Sequence, residues 1–137
     1  MIARSFVDTN VFVYADDPRD PLKQARATDL IAAAIGTRLG VVSTQVLQEY
    51  FSSATQKLRL DVSVARRKVE LMAAMSVVQV DATLILAAID LHQAHRLSIW
   101  DALILQAAAA GGCRELLSED LQPGFSYGGV VVVNPFA

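Results

Sequence analysis

Short apolar runs alternate with stretches of helical periodicity along the whole chain, and this alternation leaves few folds open. The runs cover residues 2–7, 39–42, 77–80, 116–117 and 130–133, the last being four valines in a row. Helical patterns fill the gaps. A short one runs over 11–15 and breaks at Asp17-Pro18. Pro21 opens the next, to about residue 35, where Gly36 stops it. Ser43 or Thr44 caps a helix that places Val46, Leu47, Tyr50, Phe51, Ala54 and Leu58 on one face. Further helices are expected over 63–75, 81–96 and 99–110, the last capped by Ser98 and ended by Gly111-Gly112. Strands joined by helices pair in parallel, with both faces of the sheet covered. The expected fold is therefore α/β, a three-layer α/β/α sandwich with a mainly parallel central sheet.

Composition supports one globular unit. The chain has 137 residues, 53% hydrophobic and 19% charged, with no linker or repeat, so a single domain over 1–137 is expected. Twelve Lys and Arg against fourteen Asp and Glu give a net charge of −2. That balance argues neither for nor against a nucleic-acid partner: duplex-coating proteins are usually basic, but an enzyme that cuts short single strands needs only a local basic rim. The single cysteine, Cys113, excludes an internal disulfide and a multi-cysteine zinc site. No signal-peptide pattern is visible, and no apolar run reaches the roughly 20 residues that span a bilayer. A cytoplasmic protein without membrane contact is expected.

Ligands of open parallel sheets bind outside the carboxyl ends of the strands. Asp8 directly follows the first strand, and Asp120 comes shortly after the fourth. Glu49 lies early in the helix after the second strand, and Asp101 in the first turn of the helix that Ser98 opens. A parallel sheet brings these four acids to one edge. Two like charges 4 Å apart cost about 4 kcal/mol at an effective dielectric of 20. A cluster of four either takes up protons or holds a cation. Oxygen ligands without a neighbouring His or Cys suit Mg²⁺ or Mn²⁺. Each acid also has a plainer reading: Asp101 as a capping-box residue after Ser98, Asp8 as a turn former, Glu49 as a solvent-facing helix residue, and Asp120 as loop decoration.

Taken in order, the segments around these acids resemble the PIN-domain nucleases, and within them the VapC-type toxins of toxin–antitoxin pairs. The resemblance covers nearly the whole chain. Phe6-Val7-Asp8-Thr9-Asn10-Val11 is similar to the family's opening strand and first acid. Val46-Leu47-Gln48-Glu49-Tyr50 is similar to the second acid on its helix. Ser98-Ile99-Trp100-Asp101-Ala102-Leu103-Ile104 is similar to the third motif, and Leu116-Leu117-Ser118-Glu119-Asp120 to the fourth. The resemblance implies a metal-dependent endoribonuclease with metal ligands at Asp8, Asp101 and Asp120. Glu49 then completes the acidic pocket or orients the attacking water. Thr9, Asn10 and Ser118 fix carboxylates or water by hydrogen bonds. Glu119 is either a fifth acid or a bystander. The resemblance also implies an RNA substrate, a homodimer, and a cognate antitoxin that lays a segment over the acidic groove.

Other residues carry weaker expectations. Lys57, Arg59, Arg66, Arg67 and Lys68 form the densest basic stretch; it either contacts RNA phosphates or is a solvated helix face, and the second reading is favoured. His92 and His95 read as surface residues rather than a metal pair. Trp100 is expected in the core or at a dimer contact rather than stacked on a base, and Tyr14 and Tyr50 are ambiguous. Asp16, Asp17, Asp29, Asp61, Asp81 and Asp90 read as turn, cap or surface acids. Two other functions fit the same fold. One is a non-catalytic RNA- or partner-binding module. The other is a phosphoacceptor signalling domain with Asp81 as acceptor, which lacks the required lysine because none follows Lys68.

Overall fold

The computed structural model describes residues 3–137. Ile2, which the expected first strand includes, lies outside the described residues. Ser5, Phe6 and Val7 are fully buried and form β1 (Ser5–Val7) at the centre of the sheet. To one side lie β2 (Gly40–Ser43) and β3 (Ser76–Val78). To the other lie β4 (Glu115–Leu117), β6 (Val130–Val133) and β5 (Ser126–Tyr127). The order is β3-β2-β1-β4-β6-β5. All pairings are parallel except β5 with β6. Phe6 sits opposite Val41 on one side and Leu116 on the other, so each central strand contributes an apolar side chain to the same row.

The helices are α1 (Thr9–Ala15), α2 (Pro21–Thr37), α3 (Thr44–Gln56), α4 (Val62–Ala73), α5 (Ala82–His95) and α6 (Ile99–Ala110). They pack as two groups: α1 against α2 and α3, α3 against α4, and separately α5 against α6. Strand order explains the division. The chain moves outward from β1 to β2 to β3, then returns to the other side of β1. Right-handed crossovers in opposite directions place their helices on opposite faces of the sheet. The three-layer expectation thus matches the structure. α6 is apolar nearly all round and buries Ala102, Leu103, Ile104, Leu105, Ala107 and Ala108, as a central covering helix must.

Several boundaries differ from the sequence expectation for local reasons. α1 begins at Thr9 because Asp8 caps it. α2 runs through Gly36 and ends where Arg38 turns left-handed, at φ 60°. β3 stops at Val78 because the Val80 N–H donates to the Thr44 hydroxyl at 3.1 Å rather than to the ladder. The valine run is not buried throughout: Val130 and Val132 are, whereas Val131 and Val133 are 41% and 37% exposed. One face of β6 is therefore open. β5 was not expected at all. Its two residues are too short to show a period, yet Gly128 and Gly129, both at positive φ, close a tight hairpin between Tyr127 and Val130.

The reversal of direction lies between β1 and β4, the point where an open parallel sheet leaves a crevice at its carboxyl edge. The Asp8 N–H donates to the Leu117 carbonyl at 3.0 Å, and the Ser118 N–H to the Val133 carbonyl at 3.0 Å. These bonds carry the ladder one residue further and fix Asp8 and Ser118 at that edge.

Candidate active site

Asp8 leaves β1 in an extended conformation and caps α1, with Oδ1 accepting from the Thr9 N–H at 2.7 Å. Oδ2 accepts from the Ser118 hydroxyl at 2.7 Å. The residue is only 4% exposed. Burial pushes its pKa up to about 6; the bonds from Ser118 and Thr9 oppose that rise, and the charges of Asp120 and Glu49 add to it. A buried carboxylate with a raised pKa, lying in the crevice at the carboxyl edge of a parallel sheet, marks a candidate functional group.

Asn10 ties the pocket together. Its Nδ2 lies 3.0 Å from Asp120 Oδ2, 3.3 Å from Ser118 Oγ and 3.4 Å from Asp8 Oδ2. The amide is oriented from behind, because its Oδ1 accepts from the Glu119 N–H at 3.3 Å. Ser118, fully buried, also accepts from the Asp120 N–H at 3.1 Å. On the other side the Thr9 hydroxyl donates to Glu49 Oε1 at 2.8 Å. Asp101 sits in the first turn of α6, its N–H capped by the Ser98 hydroxyl at 3.1 Å. Burial raises its pKa; the Ser98 hydroxyl opposes this, and the Asp120 charge adds to it. All four acids expected from the sequence therefore lie at one edge, where charge couples Asp8 to Asp120 and to Glu49, and Asp101 to Asp120. Asp8 and Asp120 are joined through Asn10 and Ser118, Glu49 is joined through Thr9, and Asp101 is coupled by charge alone.

Sequence reasoning missed Gln45. It lies four residues before Glu49 on the same face of α3, a spacing that brings side chains together. Its Nε2 reaches Glu49 Oε2 and the Trp100 carbonyl, each at 3.3 Å, so it links α3 to the start of α6 beside Asp101. Its Oε1 is the one buried side-chain polar atom among the described residues without a partner.

The donor chemistry fits a hard divalent cation: carboxylates, hydroxyls and an unpartnered amide oxygen, with no nearby His or Cys. Among the described residues no three such side chains close into a finished metal cage.

The remaining acids and cations sort clearly. Glu119 is no fifth acid of the pocket: Lys23 Nζ lies 3.0 and 3.1 Å from its two oxygens, and the Tyr14 hydroxyl donates to it at 3.1 Å. Asp16 is the C-cap of α1, one of the roles expected for it, and in addition accepts from the buried Tyr50 at 2.6 Å and pairs with Lys68. Asp17 is buried and grips Arg19. Asp81 caps α5, as a cap acid should, its Oδ1 accepting from the Leu84 N–H at 2.9 Å. Arg66 and Arg67 pair with Glu70. The His92 ring meets the Leu97 carbonyl, and His95 packs edge-on against Phe125 at 5.5 Å, so the two form no metal pair. Trp100 is 63% exposed and is not a core residue. No helix among the described residues is long and apolar enough to cross a membrane.

The family model described as PIN domain matches residues 5–125. No curated protein matches the chain. Among solved structures the chain is similar to VapC20 of Mycobacterium tuberculosis, described as a sarcin–ricin-loop-cleaving toxin. The identity is 21% and the TM-score 0.70, over 85% of this chain and 91% of that one. It is also similar to a chain of a toxin–antitoxin complex from Klebsiella pneumoniae, at 18% identity and a TM-score of 0.69, over 96% of this chain and 97% of that one. At these identities the likeness is one of fold.

Proposed function

The chain belongs to the PIN-domain family, and from that premise we propose that it is a metal-dependent endoribonuclease, the toxin of a toxin–antitoxin pair. The observation that carries this reading is the buried Asp8 at the sheet's crevice, joined to Asp120 through Asn10 and Ser118 and faced by Glu49. Asp8, Asp101 and Asp120 would hold Mg²⁺ or Mn²⁺. When bound, the ion supplies positive charge at the phosphate and acidifies a water. Glu49, fixed by Thr9 and Gln45, orients the attacking water and takes its proton as the water oxygen adds to phosphorus. The P–O bond opposite breaks, and its oxygen leaves with a proton from solvent. Asn10 and Ser118 hold the carboxylates in place so that no reorganisation is needed at the moment of attack.

Residues 1–137 form one nuclease domain on this reading, acting in the cytoplasm on RNA. The toxin–antitoxin complex among the structural relatives supports an antitoxin partner. The acidic pocket suits a basic side chain of that partner. On the same reading the toxin is a homodimer, as the resemblance to the VapC-type toxins implies. The reading is tested by incubating RNA with wild type, Asp101→Asn and Asp120→Asn. Asp101→Asn should cut at least 100-fold more slowly. Unimpaired cutting by both variants would refute the assignment.

A further inference from the structure

We propose that the groove beside the acidic pocket holds the backbone of a single-stranded RNA, with Arg19 and Lys57 as its phosphate contacts. The inference rests on the nuclease reading of the pocket.

A groove of about 610 Å³ is lined both by Asn10, Glu49 and Asp120 and by Arg19 and Lys57. Its size falls within the roughly 300–1,000 Å³ of ligand clefts. A polyanion brought to a cluster of carboxylates is repelled unless cations stand close by. Three members of the densest basic stretch are engaged elsewhere: Arg66 and Arg67 are paired with Glu70, and Lys68 with Asp16. Lys57 makes no ion pair among the described residues. It stands at the C-terminal end of α3, the helix that carries Glu49, with the hydroxyl residues Ser52 and Ser53 in the same groove.

Arg19 is held by a carboxylate that the chemistry otherwise leaves unused. Asp17, buried, accepts from Arg19 Nε at 2.9 Å, from Nη2 at 2.8 Å and from the Arg19 backbone N–H at 3.0 Å. The pair is neutral overall, so Arg19 adds little net field. The bonds fix the guanidinium plane while the side chain stays 75% exposed, with Nη1 not engaged by Asp17. A fixed planar donor of this kind reads phosphate geometry. Lys57 supplies the uncompensated charge. The two cations therefore divide the work: Lys57 attracts the backbone and Arg19 orients it.

The test is binding of a short fluorescent single-stranded RNA of mixed sequence across a salt series. It is made in the Asp8→Asn background, so that the RNA stays whole. Lys57→Ala should weaken binding five- to tenfold and reduce the slope of log K against log salt by about 0.7. Arg19→Lys keeps the charge but loses the fork, and should weaken binding with the slope unchanged. Arg66→Ala combined with Arg67→Ala should change neither quantity. With Asp8 restored, Lys57→Ala should raise KM and keep kcat. Lys57 is exposed, so loss of fold does not confuse the result.

Unchanged affinity and slope in Lys57→Ala and Arg19→Lys, while wild type still cuts RNA, would overturn the groove and leave the nuclease reading standing. Failure of wild type to cut or bind RNA would overturn both. Retained RNA binding with loss of poly-glutamate binding in these variants would overturn the RNA assignment in favour of an acidic protein segment.

Discussion

Lys23 Nζ lies 3.0 Å from Oε1 and 3.1 Å from Oε2 of Glu119, so the acid next to Asp120 is neutralised from outside the pocket. The pair also sits over the ring of Tyr14, with Nζ 4.7 Å from its centroid. Its consequence reaches the pocket through the backbone, because the Glu119 N–H donates to Asn10 Oδ1 and so aims Nδ2 at Asp120.

Lys23→Ala should therefore act through Asn10. The Mg²⁺ concentration for half-maximal cleavage should rise several-fold, up to about tenfold, with little change in the rate at saturating metal. Titrating activity with Mg²⁺ checks this. An unchanged half-saturation would mean that the pair is surface decoration.

Ser118→Ala removes the 2.7 Å donor to Asp8 and the acceptor of the Asp120 N–H. Activity should fall about 10- to 100-fold. The Asp8 pKa should move further up, since that bond holds it down. Carbon-detected NMR titration of the carboxylates in metal-free protein reads the shift directly.

Stability against pH follows from two acids with opposite shifts. Asp8 titrates at about 6 in the folded protein, against 3.8 as its ordinary value. Between those values the folded state holds the proton that the unfolded chain has released. Without metal, stability therefore falls as pH rises from about 4 to about 6, by on the order of 3 kcal/mol in total. Asp17, pulled down to about 2 by the Arg19 hydrogen bonds, behaves oppositely: its contribution is present above about pH 4 and is lost as pH falls towards 2. Asp8→Asn should remove the first loss, raise the metal-free melting temperature at pH 7 and leave the acid limb intact. Thermal melts in EDTA from pH 3 to 8 check both limbs.

Tyr50→Phe should separate stability from activity. The Tyr50 hydroxyl donates to Asp16 at 2.6 Å, in a network with Lys68 away from the acidic edge. Its loss should cost about 1–2 kcal/mol in urea denaturation and leave cleavage unchanged.

The sheet and its site were legible where the sequence carries a period or a cap. Asp8, Asp101 and Asp120 could be placed because each stands at a strand end or helix start that flanking residues announce. Glu49 stands only at the border of its helix's apolar face, and the resemblance to the PIN-domain family is what singles it out. What escaped depends on contacts between distant segments. Gln45 reads as an ordinary polar residue until α6 brings the Trp100 carbonyl to it. Asp16 reads as a turn acid until Tyr50 and Lys68 arrive from α3 and α4. Arg19 and Lys57 stand 38 positions apart and meet only in the groove. The exposure of Val131 and Val133 reflects an uncovered face of β6 that no local pattern encodes, since four valines look the same whether one face is covered or two.

On the nuclease reading, Asp8 serves a metal-dependent cut in RNA. The most direct measurement is cleavage of a mixed RNA pool by wild type and Asp8→Asn, each with Mn²⁺ and with EDTA. Only wild type with Mn²⁺ should cut, and the variant should be folded but inactive. Cutting by wild type in EDTA, or undiminished cutting by Asp8→Asn, would contradict it.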